Sequence, residues 1–347
     1  MPDHDQDRER LEGEAAIIRL LAPLSEAAAG AFGLQDDCAI LRPQLGTELV
    51  LKTDPIAEGV HFLADAEPAD LGWKALAVNV SDLAAKGADP TAYLLALSFP
   101  HAPRRSWVLG FAEGLRQAQE HFGCHLIGGD TDRRPGPLTI SITAIGTVPQ
   151  GGMVRRGTAR AGDGLFVSGT LGDAALGLRL SKDPTRAGAW RLSADMVEHL
   201  LGRYRRPQPR LALGSALRAY ASAAMDLSDG LAKDLGRMCE ASGCGAQVRL
   251  ADIPLSASAA HVVAAEAGQY AAVLAGGDDY EVLVSIPAQS QAAFKQAAAT
   301  AGIAVTRIGI MTVGNRVDLE SADGTVLDLA STGWDHFAAQ RAGAERR

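Results

Sequence analysis

The 347-residue chain has few cysteines, no excess of positive charge and no long apolar run. Its four cysteines form no CxxC pair, which in a chain of this length is typical of reduced thiols in a cytoplasmic protein. The formal net charge of -8 leaves no basic field that would hold a nucleic acid. No stretch approaches the length of a membrane span, and the charged N-terminus has no apolar signal region. We therefore expect a cytoplasmic protein without nucleic-acid or membrane partners.

Several common signatures of catalysis and nucleotide binding are also missing. The chain contains no Gly-Lys dipeptide and hence no Walker A motif, and no GxGxxG follows a predicted strand. It has no GxSxG nucleophile elbow and no HExxH zinc motif. These absences argue against P-loop, dinucleotide-binding, serine-hydrolase and zinc-protease sites.

The length favours two domains, because a single hydrophobic core of this size is uncommon. The segment Pro149–Asp163 is rich in glycine and arginine and poor in large apolar side chains. We place the boundary there, between domains 1–150 and 151–347. Apolar periodicity predicts a mixed α/β first domain with about four strands. The predicted helices are 14–21, 73–87 and 106–122, and the predicted strands are a short one after Asp37, 48–53, 91–99, 124–127, 138–148 and 164–168.

The predicted helix 73–87 is apolar almost all round, which is typical of a buried helix. Asn79 and Asp82 lie three residues apart and share one of its faces. A buried carboxylate requires a cationic partner. Either Lys86, four residues further on, forms an ordinary helical ion pair with Asp82, or a metal ion binds there.

Two glycine- or arginine-rich segments leave similar alternatives open. The turn Gly169–Asp173 follows a predicted strand and precedes a helix, so it is either an anion site or a place of close backbone packing. The segment 204–210 is basic and contains two prolines, and we interpret it as a solvated connector.

Aspartates recur in the predicted loops. Hard carboxylate oxygens suit Mg²⁺, which in proteins keeps several waters and shares phosphate oxygens. Many aspartates and few histidines therefore indicate metal-bridged nucleotide phosphates and phosphoryl transfer. The aspartates in question are Asp36, Asp37, Asp54, Asp82, Asp130, Asp226 and Asp229.

Seven segments in a fixed order resemble the bacterial thiamine-monophosphate kinase family. The resemblance covers nearly the whole chain, and the family is similar to aminoimidazole ribonucleotide synthetase and selenophosphate synthetase. It implies an α/β (α+β) fold of two domains, in which the N-terminal mixed sheet pairs across a homodimer into a barrel and helices cover the C-terminal sheet. It also implies ATP- and Mg²⁺-dependent phosphorylation of thiamine phosphate to thiamine diphosphate. The segments are GLQDDCAIL, KTDPIAEGVHF, KALAVNVSDLAAKGADP, LIGGDTD, AMDLSDGL, GGDDYEV and GWDHF.

The resemblance also assigns roles to residues. It implies several Mg²⁺ ions per site and ATP as co-substrate, with no catalytic protein base, because the attacking phosphate oxygen is already largely ionised at neutral pH. The implied magnesium ligands are Asp37, Thr53, Asp54, Asp82, Asp130, Asp226 and Asp229. The implied nucleotide contacts are Gly129, Asp130, Arg156 and Ser228. The implied contacts to thiamine phosphate are His61, Asp278 and Trp334.

Three residues depart from the family pattern, which usually has glycine at Gln35, a hydroxyl residue at Lys52 and glutamate at Asp278. Lys52 either bends out to solvent or takes the place of one divalent cation among the carboxylates. Two other functions stay open: an ATP-dependent synthetase of the same superfamily, and an ATP-binding scaffold without catalysis. EGVHF and GWDHF argue against the synthetase, and the retained aspartates argue against the scaffold.

Overall fold

The computed structural model describes residues 10, 11, 13–321, 325–327 and 333. The N-terminal part contains three α-helices and one four-stranded sheet, which confirms the expected mixed α/β architecture. The helices are α1 (Glu14–Leu21), α2 (Pro68–Ala85) and α3 (Arg105–Phe122). The strands are β1 (Thr47–Ala57), β2 (Asp89–Phe99), β3 (His125–Arg133) and β4 (Thr139–Pro149).

The four strands lie in the order β1-β4-β2-β3, and only the β2–β3 pair is parallel. Because side chains alternate along a strand, one face of this sheet packs against α2 and α3 and the other, which we call the open face, does not. Tyr93 and Leu95 of β2 lie in the helix-covered core. Leu49, Leu51 and Leu94 lie on the open face and are exposed to solvent.

Helix α2 is the most deeply buried helix of this part. It begins with proline, whose fixed φ suits a first helical position, five residues before the predicted start at Trp73. It ends as predicted at Gly87, which has a φ of 68°. The Gly87 N–H donates to the Ala84 carbonyl at 3.0 Å, and the Ala88 N–H donates to Leu83 at 2.9 Å. These two bonds form a Schellman motif and fix the end of the helix.

Two local predictions in this part are wrong. Instead of a strand after Asp37, the chain forms a turn in which the Ile40 N–H donates to the Gly30 carbonyl. Apolar residues of this segment, including Ala31 and Leu34, pack on the open face of the sheet. Their apolar side chains serve as a cover and not as part of a strand.

The second wrong prediction ended strand β3 at Ile127. The strand continues through the glycines to Arg133, with a bulge where the register shifts after Leu126. A Cβ at Gly129 would collide with the carbonyl oxygen of Leu95. The glycine is therefore required by close packing of neighbouring strands, as glycines within strands commonly are.

The C-terminal part is a six-stranded sheet covered by helices, as expected. The strands lie in the order β10-β7-β9-β5-β8-β6, and only the β7–β10 pair is parallel. The strands are β5 (Gly164–Ser168), β6 (Ala223–Asp226), β7 (Gly245–Arg249), β8 (Val282–Ile286), β9 (Val305–Thr312) and β10 (Val317–Glu320). The helices are α4 (Asp173–Lys182), α5 (Arg186–Ala189), α6 (Ala194–Arg205), α7 (Gly214–Tyr220), α8 (Leu231–Ser242), α9 (Ala257–Ala265), α10 (Tyr270–Ala275) and α11 (Gln291–Thr300). Among the helices of the described residues, none is long and apolar enough to cross a membrane.

The turn Gly169–Asp173 is a place of close packing. The Gly172 N–H donates to both carboxylate oxygens of the buried Asp279, each at 2.9 Å. A Cβ at Gly172 would lie 2.6 Å from the side chain of Val273. The donor at this helix N-terminus is therefore already bound by a carboxylate of the protein itself.

The connector after α6 is not merely solvated, which corrects the interpretation from sequence. Arg206 pairs with Asp70 of α2 at 2.5 Å. Arg210 donates two hydrogen bonds to Glu281, which is fully buried. These contacts tie the connector to both parts of the chain.

Candidate active site

A cavity of about 500 Å³ opens where β1 and α2 meet β6 and α8. Five positively charged side chains and two carboxylates line it, together with Ser228 and small or apolar residues. The excess of positive charge suits a polyanion with several phosphates. The charged lining residues are Lys52, Lys86, Arg155, Arg156, Arg237, Asp82 and Asp226.

Lys52 lies between two of the predicted magnesium ligands. Its Nζ is 3.0 Å from Asp54 Oδ2 and 2.9 Å from Asp82 Oδ2. Burial lowers the pKa of Lys52, but the charges of Asp82 and Asp54 outweigh that effect and leave the pKa above its usual value. Burial raises the pKa of Asp54, although Lys52 opposes the shift. Lys52 is therefore a charged ammonium shared by two carboxylates.

Asn79 joins β1 to α2 beside this ion pair. Its Oδ1 accepts the Asp54 backbone N–H at 2.8 Å, and its Nδ2 donates to the Ala75 carbonyl at 3.1 Å. The Asn79 side chain is completely buried. The two polar residues on this face of α2 therefore have different roles. Asn79 hydrogen-bonds to strand β1, and Asp82 faces the cavity.

Asp226, the last residue of β6, is buried behind Asp82. Burial and then the charge of Asp82 raise its pKa well above the usual value. Its Oδ2 has no hydrogen-bond partner among the described residues. Lys86 lies beside it but donates to the Ala224 carbonyl at 2.6 Å, and burial lowers the pKa of this lysine. The suggested Asp82–Lys86 ion pair is therefore wrong, because Lys52 takes that place.

The loop after β6 is held by Asp234, a buried aspartate that sequence reasoning missed. Asp234 Oδ2 accepts the backbone N–H groups of Ser228 at 3.0 Å and Asp229 at 2.9 Å. Arg237 bridges Asp229 at 2.6 Å and Asp234 at 3.0 Å. Burial raises the pKa of Asp234 to about 6, and the charge of Asp229 adds to the effect.

The loop before β8 rests on the loop after β6. The Asp278 N–H donates to the Ser228 carbonyl, and the Tyr280 N–H to the Leu227 carbonyl, both at 2.9 Å. Asp278 adopts a φ of 63°, an uncommon value for a residue with a side chain. The two acidic loops of the C-terminal part are thus brought together.

Lys74 is a second site residue that the sequence did not reveal. It is almost completely buried, its Nζ lies 2.9 Å from Asp278 Oδ2, and it sits 3.9 Å above the ring of Tyr204. Such a position is costly for a lysine unless a carboxylate and an aromatic face compensate it. The only sequence signal was a lysine within an apolar helix.

His61 lies near both groups of residues. Its Nδ1 accepts the Ala57 N–H at 3.0 Å, so the neutral ring carries its proton on Nε2. Its backbone carbonyl accepts from Tyr204 Oη at 3.4 Å. Lys74 contacts both Tyr204 and Asp278, and the His61 carbonyl contacts Tyr204. Two of the three predicted substrate contacts, His61 and Asp278, therefore lie near the same tyrosine.

Two of the predicted ligands lie away from the cavity. In the register of the sheet, Asp54 of β1 is in one row with Ile142, Leu95 and Gly129. Three strand spacings of about 4.8 Å separate the ends of that row, so Asp54 and Gly129 are about 14 Å apart along the sheet. Asp130, the next residue, is exposed on the open face.

The predicted ligands are only partly brought together in one chain. Asp37 is exposed, in a segment without helix or strand. Within the described residues, no three His, Cys, Asp or Glu side chains form a group that could hold a metal ion. Trp334 lies outside the described residues. Its neighbour Gly333 lies against the site, since a Cβ there would be 2.5 Å from the Asp229 carbonyl oxygen.

The donor chemistry fits magnesium. The available groups are hard oxygens, and the buried Asp226 oxygen without a partner needs a cation or a proton. The neighbouring carboxylate of Asp82 faces the same cavity.

Two family models together match most of the chain. Residues 35–148 match the family AIR synthase related protein, N-terminal domain, and residues 160–321 match the AIR synthase related protein, C-terminal domain. The chain is 41% identical over 312 residues to the thiamine-monophosphate kinase of Escherichia coli O157:H7, covering 88% of this chain and 92% of the relative. The chain belongs to the thiamine-monophosphate kinase family.

Two solved structures of this family have the same fold. A thiamine-monophosphate kinase from Stenotrophomonas maltophilia K279a is 38% identical with a TM-score of 0.79, covering 92% of this chain and 99% of that chain. AaThiL complexed with AMPPCP and TMP is 31% identical with a TM-score of 0.74, covering 95% and 99%. The mixed two-domain α/β fold expected from sequence is confirmed.

Proposed function

We propose that this protein catalyses the ATP- and Mg²⁺-dependent phosphorylation of thiamine phosphate to thiamine diphosphate. The observation that carries the proposal is the cavity lined by five positive side chains and by the carboxylates of Asp82 and Asp226. The names of the relatives and the ATP analogue and TMP bound to AaThiL support the same reaction. A cytoplasmic location, where ATP is plentiful, agrees with four free cysteines.

The reaction requires two polyanions to meet. An oxygen of the thiamine phosphate attacks the γ-phosphorus of ATP, the bond to the β,γ-bridging oxygen breaks, and ADP leaves. The attacking phosphate has a second pKa of about 6, so no protein base has to remove a proton. Arg155, Arg156 and Arg237 would instead neutralise the nucleotide phosphates, and Ser228 would hydrogen-bond to them.

The remaining charge compensation belongs to magnesium. Magnesium held by the carboxylates would supply the charge stabilisation that phosphoryl transfer needs. We propose Thr53, Asp54, Asp82, Asp226 and Asp229 as metal ligands from one chain and Asp37 as a further ligand. The side chain of Thr53 lies on the other face of β1 from Asp54, where its hydroxyl donates to the Ile142 carbonyl at 3.2 Å and accepts from Thr143 at 3.0 Å. Asp82 and Asp226, which line the cavity, would hold the metal, and Lys52 would neutralise part of the negative charge of Asp54 and Asp82.

We propose that thiamine phosphate binds beside Asp278 and His61, with Trp334 as its third contact. Asp278 is fixed by Lys74 and by Tyr280 Oη, which donates to its Oδ1 at 3.2 Å. A fixed carboxylate suits the cationic thiazolium or the aminopyrimidine. Asp278, one methylene shorter than the family's usual glutamate, retains that chemistry.

We also propose that the protein is a homodimer whose subunits pair through the open face of the first sheet. Exposed Leu49, Leu51 and Leu94 on that face suit a second copy of the chain. Gly129 and Asp130, too far from Asp54 of their own chain, would then serve the site of the partner. We also propose the domain boundary near residue 150. It is supported by residues 150–163, which contain no helix or strand and connect the two sheets.

The decisive experiment mixes the purified protein with ATP, Mg²⁺ and thiamine phosphate and separates the products by chromatography. We expect thiamine diphosphate and ADP in equal amounts, and neither product with EDTA present. ADP formed without thiamine diphosphate, in the presence of other acceptors, would favour the synthetase. Bound but unreacted ATP would favour the scaffold. Light scattering should give twice the mass of one chain.

A further inference from the structure

The contact between Lys52 and two metal-site carboxylates carries a further inference. Lys52 and Asp54 are two residues apart on β1, so their side chains lie on the same face of the sheet. Asp82 faces them from α2. The ammonium nitrogen lies almost equally far from both carboxylates, at 3.0 Å and 2.9 Å. It occupies the space that a cation bridging strand and helix would fill.

This cation balances a local excess of negative charge. The charge of Asp82 acts on both Asp54 and Asp226, so the three carboxylates are neighbours. Asp226 is buried, and Asp82 and Asp54 are partly exposed. Three neighbouring carboxylates cannot all stay ionised without positive charge between them. Lys86 is close, but its ammonium donates to the Ala224 carbonyl. Of the lysines and arginines in the described part of the chain, Lys52 is the one that bridges Asp54 and Asp82.

We propose that Lys52 is a built-in cation that permanently takes one divalent-cation position of this site, between Asp54 and Asp82. The inference rests on the proposed function, since it concerns the metal content of the same site. An ammonium has three donors and no vacant coordination position, so it cannot bind a phosphate oxygen as Mg²⁺ does. The position it fills is therefore one that balances charge, and the ions that bridge the phosphates bind elsewhere in the site.

The test is a metal count that does not depend on turnover. Equilibrium dialysis with Mn²⁺ and saturating AMPPCP gives the number of ions per subunit for wild type, Lys52→Thr and Lys52→Arg. We expect Lys52→Thr to bind one ion more than wild type and Lys52→Arg to match wild type, because arginine keeps the charge. Lys182→Thr, which removes an exposed lysine at the end of α4, is the matched control and should also match wild type. Equal counts in wild type and Lys52→Thr would overturn the proposal.

A second measurement needs neither nucleotide nor thiamine phosphate. Removal of Lys52 leaves Asp54 and Asp82 uncompensated, so the Tm of Lys52→Thr should rise with added Mg²⁺ much more than that of wild type or Lys182→Thr. The same Mg²⁺ response in all three proteins would overturn the inference. If the Mg²⁺ response is the same in all three proteins but wild type is an active kinase, the proposed function stands and only the inference on Lys52 fails. If Lys52→Thr shows the larger Tm response but wild type is inactive, only the proposed function fails.

A third measurement uses only the wild-type protein, in case Lys52→Thr does not fold. Reductive methylation followed by peptide mass spectrometry compares Lys52 with Lys182 in the complex with Mn²⁺ and AMPPCP. We expect Lys182 to be methylated and Lys52 to stay protected, because its ammonium remains between the carboxylates. Methylation of Lys52 to the same extent as Lys182 would show that metal displaces it, and would overturn the proposal.

Discussion

The side chain of Asn79 accepts the backbone N–H of Asp54 at 2.8 Å and so fastens strand β1 to helix α2 at the metal-site carboxylates. The acceptor side of this bond is buried, because Asn79 has no exposed surface. It fixes the position of Asp54 along the axis of α2. Asp82 lies on that helix, almost one turn after Asn79. A single buried amide therefore sets the distance between a strand ligand and a helix ligand.

Asn79→Ala should destabilise the protein and weaken its use of Mg²⁺. The Asp54 N–H would lose its acceptor, which costs about 1–3 kcal/mol for a buried donor. Urea unfolding measures the stability, and the Mg²⁺ concentration for half-maximal activity measures the second effect. Asn315→Ala, at the exposed turn before β10, is the control and should change neither quantity. Equal behaviour of the two variants would contradict the role given to Asn79.

Asp226→Asn should lower the kinase activity without lowering the stability of the protein. The buried carboxylate has one oxygen without a partner among the described residues, and burial raises its pKa. A neutral amide of the same shape removes the desolvation cost of the charge, so without metal the variant should unfold at the same or a higher Tm. Its kinase activity should fall by about 100-fold or more, because a metal ligand is lost. A large drop in Tm together with retained activity would show a structural role.

Much of the fold follows from the sequence, because apolar periodicity is a local signal. Helix α2 ends at Gly87 as predicted, since only glycine readily takes the positive φ of that position. The sequence predicts too short a strand β3, because glycines are typical of loops. In the structure, close contact with β2 requires these glycines. That contact depends on a strand some thirty residues away, which a local pattern does not reveal.

The site followed from the sequence only in part. The sequence shows the acidic loops but not the lysines and arginines that pair with them, since an ion pair depends on the arrangement of distant segments. Lys52 contacts Asp82 across thirty residues, and Lys74 contacts Asp278 across two hundred. Glu281 lies in the segment GGDDYEV, and the structure shows it as a fully buried carboxylate paired with Arg203 and Arg210. The family pattern marked Lys52 as a departure, and only the geometry gave it partners.

Glu281→Gln should be strongly destabilising. Glu281 is fully buried and accepts hydrogen bonds from Ser168 at 2.6 Å, Arg203 at 2.9 Å and Arg210 at 2.7 Å. Loss of its charge leaves two partly buried arginines uncompensated, which typically costs about 3–5 kcal/mol. Thermal unfolding measures the effect. Glu113→Gln removes an exposed ion pair with Arg116 and should leave the Tm nearly unchanged. Similar Tm values for both variants would contradict the importance of the buried network.

Asp234 should make the stability of the protein depend on pH. Its folded-state pKa is about 6 against an ordinary 3.8, so the folded state holds the proton more tightly than the unfolded state. Stability from this group is therefore present at low pH and is lost as the pH rises from about 4 to 6. The difference between a pKa of about 6 and one of 3.8 corresponds to about 3 kcal/mol.

The comparison that isolates Asp234 uses Asp234→Asn, which cannot titrate. Urea unfolding of both proteins at several pH values, without metal, gives the difference in unfolding free energy. We expect the advantage of wild type over Asp234→Asn to shrink by about 3 kcal/mol as the pH rises from about 4 to 7. A difference that stays constant over this range would mean that the Asp234 pKa is not raised.

Subunit complementation should show whether Asp130 serves the site of the partner. Asp54→Asn and Asp130→Asn should each inactivate the homodimer, because each removes a proposed metal ligand from both sites. If Asp54 of one chain works with Asp130 of the other, a mixed dimer has one site with both defects and one site with none. Co-expression with two different tags isolates that dimer, and it should recover about half of the wild-type activity per dimer.

The control is a mixed dimer of Asp54→Asn and Asp82→Asn. Lys52 bridges these two carboxylates within one chain, so both belong to the same site. Every site of that dimer carries one defect, and it should stay inactive. Recovery in the first pair but not in the second would follow directly from the sheet register, in which Asp54 and Gly129 lie on opposite edge strands. No recovery in either pair would contradict the proposal that Asp130 serves the site of the partner.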